Sequence, residues 1–149
     1  MDLKTRLAGD FKTALRSGDK LKLSVLRLLT ALIKNREVEK RGPLTDAEVI
    51  QAISSSCKLR QEAIEQYGRG GRQELVDKET AELHILQSYL PQSLTGEELA
   101  GLVQAAIQEA QAASPKEMGK VMAILMPKVT GRADGKVVSA LVREMLSRT

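Results

Sequence analysis

Apolar side chains recur along this chain at intervals of three and four residues, the period of one face of an α-helix, and no segment alternates with the period of two that a half-buried strand requires. Leu3, Leu7, Phe11, Ala14 and Leu15 form the first stripe, and Gly18 breaks it. Asp19 is placed to cap a second helix carrying Leu21, Val25, Leu26, Leu28, Leu29, Leu32 and Ile33, a stripe wide enough to predict a central helix. Gly42 and Pro43 stop it, because proline lacks a backbone donor and biases the preceding residue away from helix. Thr45 and Glu48 form a capping box that opens a third helix, with Val49, Ile53, Cys57, Ile64 and Tyr67 on its buried side. Gly68, Gly70 and Gly71 end that helix. A fourth, from about Gln73 to Tyr89, turns Leu75, Val76, Leu83, Leu86 and Leu90 inward, and Pro91 closes the set.

A second capping box, Thr95 with Glu98, begins a distinct three-helix pattern. Leu99, Leu102, Val103, Ala106, Ile107 and Ala110 line the fifth helix. Ser114 and Pro115 open the sixth, with Met118, Val121, Met122 and Leu125 as its stripe. Pro127 and Gly131 bracket a loop, and Asp134 caps a last helix with Val137, Val138, Leu141, Val142, Met145 and Leu146 on its buried side. The predicted fold is therefore all-α: an N-terminal four-helix lobe over residues 1–92 followed by a C-terminal three-helix lobe over residues 95–149. A helical lobe as small as the second is marginal in isolation, so docking is expected to matter for its stability.

Composition narrows the class. With one Phe, two Tyr and no Trp, aliphatic side chains must supply the packing. No apolar run approaches the roughly 20 residues that span a bilayer, and the N-terminal stretch lacks the apolar segment of a secretory signal; both lead to the expectation of a soluble cytoplasmic protein without membrane contact. The lone Cys57 excludes an internal disulfide, and with His84 the single imidazole no zinc cluster is expected, nor any other cofactor. Net charge is only +4, yet residues 1–41 hold eleven bases against five acids. Such a segment is either a solvated helix surface or a face for polyanions.

Candidate catalytic chemistry is sparse. A nucleophile needs a base and an orienting group, whereas Cys57 sits within one helical stripe and His84 among leucines of another helix, so both read as structural. Glu62 and Glu65 lie one helical turn apart in a helix dense with surface charge, and no neighbouring feature marks them as an acid/base pair. Gly68-Arg69-Gly70-Gly71-Arg72 reads as a helix end and turn in preference to an anion nest. Gly131 to Val137 fails as a phosphate loop of an ATPase: it is one residue short between its glycines, has Val137 where Ser or Thr would hold magnesium, and follows no strand.

That same segment is nonetheless the best candidate for binding. Between Pro127 and Lys136 the chain carries Lys128, Arg132 and Lys136 against Asp134 alone, with Gly131 and Gly135 allowing close backbone approach. A basic turn at a helix N-terminus suits nucleic-acid phosphates, and Lys120 extends the patch. A solvated interhelical turn is the alternative.

The run Glu117-Met118-Gly119-Lys120-Val121-Met122, then Met126-Pro127-Lys128-Val129 and Gly131-Arg132-Ala133-Asp134-Gly135-Lys136, resembles the signature of the GatB/YqeY family. Leu23-Ser24-Val25-Leu26-Arg27, Ala31-Leu32-Ile33-Lys34-Asn35 and Tyr89-Leu90-Pro91 resemble it too, so the likeness covers essentially the whole chain. It implies a stand-alone relative of the tail of the B subunit of the tRNA-dependent amidotransferase, a translation enzyme in which glutamine supplies ammonia to Glu-tRNA or Asp-tRNA. That tail contacts tRNA and does not perform the amidation. The resemblance implies a nucleic-acid site at Lys120, Lys128, Gly131, Arg132, Gly135 and Lys136, with Gly119 beside it, and amidotransferase or aminoacyl-tRNA synthetase components as partners. Those tails tend to have Asn-Pro where this chain has Asp134-Gly135. The domain that activates the acyl group is absent from this sequence, so the family's label of carbon–nitrogen ligase with glutamine as amido donor exceeds what these residues support, and no catalytic residue is assigned. The expectation is a non-catalytic tRNA-binding or amidotransferase-associated module; the alternative is a helical protein-interaction adaptor with no RNA ligand.

Overall fold

Side-chain caps set most of the helix starts. In the computed structural model, which describes residues 2–148, α1 (Leu3–Ser17) is capped by Asp2, α2 (Lys20–Lys40) by Asp19, and α3 (Asp46–Arg69) by the reciprocal Thr45/Glu48 box. The Thr95/Glu98 box opens α5 (Gly96–Ala110) and Asp134 caps α7 (Gly135–Ser147). Between them lie α4 (Gln73–Gln87) and α6 (Met118–Val129), the latter preceded by a single 3₁₀ turn, Pro115–Glu117. The protein is all-helical, with seven α-helices and no strand among the described residues.

The chain divides into two compact units, residues 1–90 and 91–149. In the first, α3 and α4 form the most extensive pair, and α2 packs against α1, α3 and α4. The core joins Leu7, Val25, Leu26, Leu29, Ile33, Leu44, Val49, Ile53, Cys57, Leu83, Leu86 and Tyr89. At its edge the Tyr89 hydroxyl donates to Asp10 at 2.5 Å, while Arg6 lies 4.7 Å above the ring and donates to the Ser88 carbonyl. Burial, reinforced by the bond to Asp10, pushes the Tyr89 phenol well above its ordinary range, so it stays a donor. Glu37 ties three segments together, accepting from Lys4 at 2.6 Å and from the Leu44 backbone at 2.9 Å. In the second unit α5, α6 and α7 contact one another pairwise around Val103, Val121, Leu125, Val129, Val138, Val142 and Leu146.

Several expectations are corrected. Leu28 is 60% exposed and Val137 55%, so neither belongs to its helix's buried side. His84 is exposed beside its leucines. Gly68 lies inside α3, and it is Gly71, at φ +70°, that turns the chain toward α4. The helix stops one residue ahead of Gly42, with Arg41 in the left-handed position after α2. Ser114 makes no side-chain cap, because the sixth helix enters through the 3₁₀ turn. Pro127 continues α6 where a loop was expected; its missing donor leaves a carbonyl in the exposed turn at Ala123, where water can meet it.

Candidate nucleic-acid interface

Because α6 extends to Val129, the predicted basic loop contracts to the turn Thr130–Asp134. Lys128 stands in the last turn of α6, Gly135 and Lys136 open α7, and Lys120 lies in the first turn of α6. Lys120 and Lys128 are eight residues apart, about 12 Å along the helix axis. The structure thus gathers Lys128, Arg132 and Lys136 about one turn and leaves Lys120 farther along the same helix.

The turn is stiffly built. Val129, fully buried, anchors it through its carbonyl, which accepts from Arg132 N at 2.8 Å and Ala133 N at 3.1 Å. The Thr130 hydroxyl and amide both return to the Met126 carbonyl, and Gly131 supplies the left-handed φ of +80°. The Arg132 carbonyl accepts from Leu94 N at 2.9 Å and its Nε donates to the Gln92 carbonyl at 3.1 Å, which fastens the segment before α5 onto the turn. Gln92 and Leu94 were not expected here, and backbone partners leave no mark in a sequence pattern.

These bonds redistribute the chemistry. Arg132 N and Ala133 N already have acceptors, and the Asp134 carboxylate takes Lys136 N at 2.8 Å, so this turn does not offer the glycine-cradled donors of an anion nest. Arg132 is half-buried and spends one donor on Gln92; its charge also helps hold the Glu98 carboxyl below the usual range, behind the larger effect of the Thr95 amide and hydroxyl. Lys128 faces Glu109 across 3.8 Å, an exposed and loose pair. Lys120 and Lys136 are exposed and make no side-chain ion pair among those found in the described residues. Lys128 and Lys136 therefore present exposed positive charge beside a fixed turn, Lys120 does so farther along α6, and Arg132 chiefly holds that turn together. Gly119 and Gly135 are helical, and a methyl group at either would meet nothing within 4 Å, so the fold demands glycine at neither.

The residues weighed for catalysis are placed apart. Cys57 is buried in the first unit, and burial raises its thiol to about 11, which suppresses the thiolate. Glu62 and Glu65 are both exposed. Among the described residues the buried acid is Glu82 of α4, which pairs with Arg60 of α3, as does the half-buried Glu79. Arg60 occupies the stripe position between Cys57 and Ile64, and Glu82 is in register with Leu75 and Leu86, positions that a count of apolar residues passes over.

A family model described as YqeY-like protein matches residues 4–146. The chain belongs to the YqeY-like protein family. Among curated relatives, the altered inheritance of mitochondria protein 41, mitochondrial, of Pyrenophora tritici-repentis is 33% identical over 144 residues, which are 95% of this chain and 79% of that protein. Its namesake in Eremothecium gossypii is 34% identical over 72% of the chain and 61% of its own length, and one from Saccharomyces cerevisiae 30% over 62% and 51%. This YqeY-like chain thus spans from about half to four-fifths of the relatives it matches. Their names overturn the cytoplasmic expectation. Mitochondrial transit peptides are amphipathic and basic, so the lack of an apolar leader carried no information against that compartment. No described helix is long and apolar enough to cross a membrane.

Proposed function

We propose that this YqeY-like protein is a non-catalytic module that binds tRNA through Lys120, Lys128 and Lys136, with Arg132 and Gly131 shaping the turn that Lys128 and Lys136 flank, and that it works beside amidotransferase or aminoacyl-tRNA synthetase components. The observation that carries it is the exposed pair Lys128 and Lys136 beside the Val129-anchored turn, with Lys120 exposed farther along α6, in the segment that resembles the amidotransferase tail. Phosphate contacts from lysine need no aromatic platform, which suits a chain so poor in aromatic residues.

The test is a salt titration of tRNA binding. Three phosphate contacts give a slope of log affinity against log salt of about −2 to −2.7, so binding weakens roughly 15- to 40-fold between 50 and 200 mM salt. Replacing Lys120, Lys128 and Lys136 with Ala flattens the slope by about two units, and Arg132 is spared because its loss also removes the bond to Gln92. A folded triple variant with unaltered affinity and slope excludes this surface.

A further inference from the structure

The side of α2 turned away from the core carries its own order. Lys20, Arg27 and Lys34 follow one another at seven-residue intervals, about 10.5 Å apart along the helix, and Arg41 stands just past its C-terminus in the left-handed position. All four are exposed, and none enters the ion pairs found among the described residues. Beside this row run Ser24, Leu28, Ala31, Asn35 and Val38, spaced alternately by four and three and likewise exposed, with Leu28 at 60% and Val38 at 76%. Steps of four and three make the seam that one helix presents to another, and a base once per heptad on one flank is the device that selects a partner's charge. On the other flank stand Val25, which is buried, Leu32, which is half-buried, and Glu39.

We propose that this face of α2 docks an amphipathic helix of another protein whose apolar seam is bordered by Asp and Glu. Leu28 and Val38 supply the apolar contact, Ser24 and Ala31 leave room for close approach, and Asn35 sets the register. A second copy of the chain is a poor occupant. Two α2 helices packed antiparallel bring base against base, and packed parallel they set Lys20 and Arg27 against Val25 and Leu32, leaving Lys34 with Glu39 as the matched pair. RNA would engage the bases and leave Leu28 and Val38 in water, with no ring in the row to stack a base.

The probe is a labelled four-heptad peptide with Leu at both seam positions and Glu on both flanks, compared with one bearing Lys on both flanks, titrated by anisotropy with the full chain. The Glu peptide binds and gains helicity, and the Lys peptide binds at least about tenfold more weakly. The double substitution Arg27→Glu, Lys34→Glu reverses that order, and Leu28→Asp weakens the Glu peptide about tenfold with the helical circular dichroism of the chain unchanged. No binding, equal affinity for both peptides, or indifference to these exposed substitutions overturns the proposal. So does loss of RNA binding in the charge-reversed chain when the Glu peptide fails to bind, which gives the face to RNA. Concentration-dependent dimerisation abolished by Leu28→Asp gives it to a second copy.

Discussion

The Arg60 guanidinium crosses from α3 to meet the Glu82 carboxylate on α4, and the same nitrogen lies 3.1 Å from Glu79 Oε2. The Arg60 side chain is 14% exposed and that of Glu82 6%, so the carboxylate in particular has little water to fall back on. Arg60→Ala leaves a buried carboxylate unpaired and is expected to destabilise the first unit by about 3 to 5 kcal/mol. Arg60→Met with Glu82→Leu recovers most of that loss, because a matched apolar pair removes both desolvation penalties. Urea midpoints of the three chains decide it; a double variant as unstable as the single would show the ion pair to be a net source of stability.

In the second unit the centre of the core is Leu125 of α6, fully buried, whereas Leu141 of α7, in the middle of its sequence stripe, is half-buried. Leu125→Ala is expected to cost about 2 to 5 kcal/mol and Leu141→Ala distinctly less, since its smaller buried volume leaves a shallower cavity. Equal shifts in the unfolding midpoint would contradict that ranking.

The glycines around the basic turn separate by conformation. Gly131→Ala forces a Cβ into φ +80° and should cost about 1 to 2 kcal/mol. Gly119→Ala and Gly135→Ala occupy open helical positions and should stabilise by about 0.4 to 1 kcal/mol. If either helical variant is more stable and binds tRNA less well, its glycine serves close approach by the ligand.

Glu48 accepts from Lys40 at 2.5 Å and from the Thr45 amide at 3.1 Å, and these bonds, Lys40 first, pull its carboxyl from 4.5 to about 2. A depressed carboxyl stabilises the fold fully above its unfolded value and loses that contribution as pH falls. The stability difference between the native chain and Glu48→Gln should hold steady above pH 4.5, shrink from there to about 2, and be gone below, as read from denaturant midpoints against pH. A difference that persists at pH 2 would place the stabilisation in the shape of the side chain.

Helix starts and the succession of elements were legible because their causes are local. Thr45 with Glu48, Thr95 with Glu98, Asp19 and Asp134 each bond within three residues of themselves. What escaped depends on distance in the chain. Nothing near Leu28 says that the far side of α2 stays open, and nothing near Arg60 announces two acids about twenty residues on. Pro127 misled for a related reason: proline disfavours helix locally, and the turn anchored on buried Val129 outweighs it. At the candidate site the lysines were visible as charges. The part played by Arg132 was not, because its partner is the carbonyl of Gln92, forty residues away.

The bond from Tyr89 to Asp10 spans 79 residues. During synthesis α1 emerges before α2, α3 and α4, yet the tyrosine that seats it arrives only once the rest of the first unit has been made. Until then Leu7 and Phe11 have no completed core to enter, and α1 must wait as an amphipathic segment of the nascent chain, a natural place for a chaperone to hold on.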